Sequence, residues 1–179
     1  MIYLFLAQGF EEIEAIAAAD ILRRAGCTLV TVGVGGKKVT GSHGIEVTAD
    51  IEESAVVTDG LEMAVLPGGM PGTLNLEKSP IVRAVLQYCA ENDKYIAAIC
   101  AAPSILGHLD LLKEHTAVCF PGFEKELNAK AFSPDSVCVS GKVITAKGAG
   151  VAVDFALKIV EELYGSEKSI MLRKSIQCM

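Results

Sequence analysis

The chain has 179 residues, of which 51% are hydrophobic and 21% charged, with a formal net charge of -6. A chain of this size and apolarity can bury a sizeable core and is not disordered. The acidic balance argues against non-specific nucleic-acid or anionic-membrane binding, and no apolar run approaches the ~20 residues that span a bilayer.

The N-terminus MIYLFLAQGFEE lacks a basic region and turns acidic at once, so no secretory signal is expected. Six cysteines stand at 27, 89, 100, 119, 138 and 178 without a C-x-x-C pair. His43, His108 and His115 are not spaced as a zinc set, and no metal is expected. Reduced thiols in the cytoplasm are the expectation. Cys27, Cys89, Cys119 and Cys138 lie in apolar runs and read as small buried hydrophobes, while Cys178 lies in the tail.

Taken in chain order, IYLFLA (2–7) reads as a buried strand, and Glu11 to Arg24 as a helix ended by Gly26. Residues 27–35 form a second strand, and the punctuated stretch 38–50 a hairpin-type excursion. LEMAVLPGG (61–69) is a strand running into a glycine turn. Ile81 to Asn92 is helical, Tyr95 to Cys100 is a strand, and a helix follows from about Pro103. Thr116 to Phe120 reads as a strand, and Ser136 to Lys147 as two short strands turning at Ser140-Gly141. Val151 to Tyr164 is the last long helix, stopped by Gly165. Strands separated by helices predict one α/β domain over 1–179, with a mostly parallel sheet between helices. Functional groups then gather at the carboxyl ends of the strands. That rule selects residues 9–14, 67–69, Cys100 with its neighbours, and 147–150.

In AAICAAPS, Cys100 sits where a buried strand meets a helix, with small Ala98 and Ala102 two positions either side, as a nucleophile elbow requires. A helix N-terminus there favours thiolate over thiol. The competing reading is a core cysteine ending a strand. Pro67-Gly68-Gly69 either cradles an oxyanion with free backbone N–H groups or is a plain tight turn. Gly148-Ala149-Gly150 reads as close strand–helix packing rather than a dinucleotide motif. Glu11, Glu12 and Glu14 complement the dipole of the first helix. Glu14 also shares a face with Ala17, Ala18 and Ile21, which points it inward, where desolvation raises its pKa.

GFEEIEA, ADILRRAG, AVLPGGMPG, AAICAAPSIL and ITAKGAGVAVDFALKIVEEL together resemble the ThiJ/PfpI superfamily, in the branch of the DJ-one and YajL proteins. The matches follow family order along nearly the whole chain. The resemblance implies a flavodoxin-like, class I glutamine-amidotransferase-like α/β sandwich and a homodimer. It implies that Cys100 is the reactive thiol, Glu14 its protonated partner, and Gly68, Gly69 and Ala101 the anion pocket. Arg24 and His43 fall where relatives carry anion-binding arginines. It implies no organic cofactor. Implied activities are glyoxalase- or deglycase-type conversion of 2-oxoaldehydes or early glycation adducts, the partner being a small carbonyl compound or a glycated protein. Oxidation of Cys100 to sulfinate in a redox sensor or chaperone is the alternative, and a flavin-binding module a weaker third. Ala101 stands where peptidase branches place His, so no peptidase is expected. Phe120 stands where animal members place another His, so neither position supplies a general base.

Overall fold

The structure, a computed structural model, describes residues 1–178. The strands are β1 (Ile2–Leu6), β2 (Leu29–Gly33), β3 (Lys38–Thr40), β4 (Glu46–Thr48), β5 (Ile51–Glu52), β6 (Met63–Leu66), β7 (Tyr95–Ile99), β8 (Thr116–Ala117), β9 (Ala131–Phe132), β10 (Val137–Ser140) and β11 (Val143–Ala146). The α-helices are α1 (Glu12–Arg24), α2 (Gly72–Lys78), α3 (Pro80–Glu91), α4 (Pro103–His108), α5 (Ala152–Tyr164) and α6 (Ser166–Ser175).

Seven strands form one sheet in the order β10-β11-β7-β6-β1-β2-β5. Every pairing is parallel except β10 with β11. Its inner strands are apolar on both faces, as a sheet covered by helices on both sides demands. Ile2, Leu4 and Leu6 of β1 face α1 and α5, while Tyr3 and Phe5 face the opposite way, against α3 and α4. This is the mostly parallel sheet between helices that the alternating patterns predict, and the flavodoxin-like α/β sandwich that the resemblance implies. The stretch 38–50 contributes the antiparallel hairpin β3–β4, with Lys38 opposite Thr48, as a separate two-stranded sheet.

One sequence expectation is corrected, and two helices are added to those expected. Thr116 to Phe120 is not a full strand of the main sheet: β8 ends at Ala117 and pairs only with β9. Its continuation is diverted to other acceptors, the Val118 N–H donating to Thr145 Oγ1 (2.9 Å) and the Phe120 N–H to the Cys100 carbonyl (2.8 Å). Gly165, at φ 89°, does end α5, but the chain restarts at once as α6. That helix buries only Ser169, whose Oγ donates to the Leu157 carbonyl (2.8 Å), so it carries no apolar stripe to reveal it. Likewise α2 precedes α3 unannounced, the two separated by Ser79, whose Oγ caps α3 by accepting the Val82 N–H (3.2 Å).

β11, β7, β6 and β1 are consecutive neighbours in the sheet. The four segments selected from the sequence therefore leave the carboxyl ends of four adjacent strands and meet at one edge.

Candidate active site

Cys100 follows β7 directly and has a left-handed backbone, φ 66°. A β-carbon is unfavourable there, and such strain persists only where surroundings over-determine it. Here both its backbone groups are pinned: its N–H donates to the Ala146 carbonyl (2.9 Å) and its carbonyl accepts from Phe120 (2.8 Å). The chain then turns through Ala101 and Ala102 into α4. Cys100 is partly exposed, whereas Cys27, Cys89, Cys119 and Cys138 are buried.

Gly68 and Gly69 leave the end of β6 beside it. A β-carbon on Gly68 would stand 2.6 Å from Cys100 Cβ and 2.9 Å from Glu14 Oε2. One on Gly69, at φ 90°, would stand 2.4 Å from the Glu11 nitrogen. Glycine is required at both places because thiol, carboxyl and backbone converge there. The N–H groups of Gly69 and Ala101 lie near enough to the Cys100 sulfur to favour its ionised form. Glu14, one turn into α1, is wholly buried, and its Oε2 accepts the Gly68 N–H at 2.7 Å. Its Oε1 is buried with no hydrogen-bond partner. The site thus brings together Cys100, Glu14, Gly68, Gly69 and Ala101.

Burial raises the Glu14 carboxyl from 4.5 to about 7, against the opposing Gly68 N–H and Cys100 thiol. Burial, with the charge and hydrogen bond of Glu14, pushes the Cys100 thiol up to about 12, against the pull of the Ala101 and Gly69 N–H groups. Helix α4 begins only at Pro103, and desolvation outweighs the donors. The two groups titrate as a pair, losing one proton near neutrality and the second only in strong base.

The neighbouring glutamates have separate tasks that the dipole argument did not distinguish. Glu11 caps α1, its Oε2 accepting the Glu14 N–H at 2.7 Å. Glu12 is buried and anchors the β3–β4 turn, accepting from the His43 N–H (2.7 Å), His43 Nδ1 (2.9 Å), Ser42 Oγ (3.2 Å) and the Ile45 N–H (3.4 Å). Burial works to raise its carboxyl, but the bonds from the His43 side chain and backbone, from its own backbone and from Ile45 outweigh it, leaving it at about 2. His43, exposed, is raised by this bond with Glu12. Glu11, Glu12 and His43 offer ligand atoms within 4.8 Å of one another, but the Glu12 oxygens are already taken by these four donors.

Arg24 is not brought to the site within the chain. It ends α1 ten residues after Glu14, about 15 Å along the helix, and pairs with Asp20 (2.6 Å). His108 bridges Glu77 (2.5 Å) and Glu126 (2.9 Å), and His115 Nδ1 donates to the Ser140 carbonyl (2.9 Å). Each histidine is therefore engaged in structure rather than with the thiol. A cavity of about 530 Å³ opens at the amino ends of β7 and β11, lined by Lys94, Tyr95, His115 and Lys142. It lies a full strand length, roughly 16 Å, from Cys100.

An elbow cysteine on a flavodoxin-like sandwich, backed by a buried carboxylic acid and a glycine turn, defines a class of cysteine-centred α/β proteins. The DJ-1/PfpI family model matches residues 1–162, and the chain belongs to that family, the same group that its motifs resemble. The chain is 38% identical over 168 residues to "Protein dj-1beta" of Drosophila melanogaster, covering 92% of this chain and 90% of that protein. To "Glutathione-independent glyoxalase DJR-1.2" of Caenorhabditis elegans it is 32% identical over 167 residues, covering 93% and 89%. Among solved structures, oxidized Toxoplasma gondii DJ-1 superposes with a TM-score of 0.95 at 35% identity, covering 98% of this chain and 97% of that one. Among the described residues, no helix is long and apolar enough to cross a membrane.

Proposed function

We propose that this chain is a single-domain, cofactor-independent enzyme acting on small 2-oxoaldehydes or early glycation adducts through Cys100. The observation that carries the reading is the unpartnered Oε1 of Glu14 in a pocket shared with the thiol. The sulfur has two backbone donors, the carboxyl one. With the shared proton on Oε1, that oxygen gains its missing hydrogen bond and the negative charge of the pair rests on sulfur, which is the protonation state this mechanism uses. The relative named as a glutathione-independent glyoxalase supports the substrate class.

In this mechanism the Cys100 thiolate adds to the aldehyde carbon of methylglyoxal, and the new oxyanion takes the Glu14 proton. The Gly69 and Ala101 N–H groups steady the oxygen as charge develops. The Glu14 carboxylate then accepts the proton from C1 and delivers one to C2, while the C1 hydroxyl proton passes to the C2 oxygen, converting the hemithioacetal to a lactoyl thioester. Water hydrolyses the thioester, giving lactate and free Cys100, so one water is consumed and no external electron carrier is needed. The test is lactate formation from methylglyoxal by purified protein. Cys100→Ser is expected to abolish it, and a full rate in that variant refutes the reading.

A second reading, a redox sensor or chaperone, is favoured by exposure. Four of the six cysteines are buried, leaving Cys100 and Cys178 reachable. A protonated Glu14 would hold a Cys100 sulfinate and halt oxidation there. Intact mass after mild peroxide separates the readings. Two oxygens gained on Cys100, with changed partner binding and no lactate, support the sensor.

The proposed partner is a second copy of the chain. Ile13 and Ile16 of α1 and Ile45 of the hairpin are exposed beside the site. A face of this kind suits a two-fold interface through the first helix, in a reducing, cytoplasm-like compartment. Sedimentation as a monomer at micromolar concentration would remove it.

A further inference from the structure

The cavity of about 530 Å³ at the amino ends of β7 and β11 takes no part in the site around Cys100. Its volume falls in the range of pockets that hold small organic molecules. Part of its lining is apolar. Ile96 and Val143 are partners in the β7–β11 register, and Leu111 packs against the same core cluster. His115 forms another part of the wall and is held in place, its Nδ1 bound to the Ser140 carbonyl at 2.9 Å.

The rest of the lining is charged. Lys94 and Lys142 are both half-buried, and neither forms a salt bridge among the described residues. Lys142 is positioned all the same, with its Nζ 4.1 Å from the centre of the Tyr95 ring. Such a cation–π contact places an ammonium group without neutralising it. Asp93 is the one carboxylate in the lining, so two ammonium groups are set against one acid. This is a local excess of positive charge in a chain whose net charge is -6. The single net charge matches a carboxylate better than a phosphate monoester, which carries about two charges.

We propose that this cavity is a second ligand site, for a small organic carboxylate with an apolar body. The carboxylate is held by Lys94 and Lys142, and the body lies against Ile96, Val143 and Leu111. The site binds and makes no bond, and it does not depend on the reading of Cys100.

The test is calorimetric titration of the whole protein with 2-naphthoate, with amide NMR shifts to locate it. Saturable binding is expected, with shifts at residues 93–96, 111–115 and 141–143, and with the same affinity after iodoacetamide has capped Cys100. 2-Naphthamide keeps the body without the charge, and acetate the charge without the body; each is expected to bind at least about tenfold more weakly. Lys94→Gln and Lys142→Gln are each expected to weaken 2-naphthoate about tenfold. Ala90→Trp, at an exposed position of α3 on the cavity wall, is expected to weaken it by filling the space. No saturable binding, equal affinity for the amide, wild-type affinity in the double lysine variant, or shifts centred on Cys100 would each overturn the proposal. Tighter binding of 2-naphthyl phosphate than of 2-naphthoate would overturn the choice of carboxylate.

Discussion

Replacing Glu14 with Gln tests the buried acid directly. Folding carries this carboxyl from 4.5 to about 7, with burial as the main cause. The folded state therefore holds a proton that the unfolded state has already released. Its contribution to stability is full below 4.5 and is lost as pH rises through about 7. At about 1.4 kcal/mol per pKa unit, the loss across that window is about 3 kcal/mol. Glutamine keeps the shape, can accept the Gly68 N–H through its carbonyl, and can direct an amide N–H at Cys100, but it does not titrate in this range. Urea unfolding of wild type and Glu14→Gln at pH 5 and pH 8 isolates the effect, because every other ionisable group is common to both proteins. Part of that loss already falls below pH 5, so the wild type is expected to lose about 2.5 kcal/mol more than the variant between the two conditions. The same variant is expected to lose lactate formation by at least about a hundredfold, since an amide cannot ferry the proton. Equal pH slopes for the two proteins would refute the picture of a carboxyl held protonated by desolvation, and the proposed mechanism with it.

Two further outcomes follow from particular contacts. Gly68→Ala places a methyl 2.6 Å from Cys100 Cβ, so something must shift. A destabilisation of about 1–3 kcal/mol and slower Cys100 alkylation are expected in parallel urea and iodoacetamide assays, and a wild-type alkylation rate would refute the close approach. His108 is raised above 6.5 by its hydrogen bonds to Glu126 and Glu77, with desolvation opposing. The bridge is therefore complete below 6.5 and is lost as pH rises through the folded value. His108→Gln is expected to flatten the fall in melting temperature from pH 6 to pH 8.5, and an unchanged slope would show that the bridge carries no stability.

The fold was readable because burial leaves a strong signature. β1 buries all five of its residues, a run that only a sheet covered on both faces needs, and Gly26 marks the end of the first helix. Elements without such a signature escaped. α6 buries one serine, and β8 is cut short by side-chain and cross-loop acceptors that no local pattern announces. The site divides in the same way. Cys100 was visible through its small neighbours, and Glu14 through the apolar face it shares.

What stayed hidden was the division of labour in the run Glu11, Glu12, Glu14, because three identical side chains are told apart only by what folds against them. The 41–45 turn donates four hydrogen bonds to Glu12 and fixes it as a deep anion. The Gly68 turn gives Glu14 one donor and leaves its other oxygen bare. Glu14 lies deeper and has fewer donors, so burial prevails there and hydrogen bonds prevail at Glu12: one carboxyl is raised to about 7 and the other held at about 2. Phe120 shows the converse limit: that it brings no base is legible from residue type alone, but only the fold shows its N–H bound to the Cys100 carbonyl. The resemblance singled out Cys100 and Glu14, whereas the donors that set Glu12 apart from Glu14 are read only from the fold.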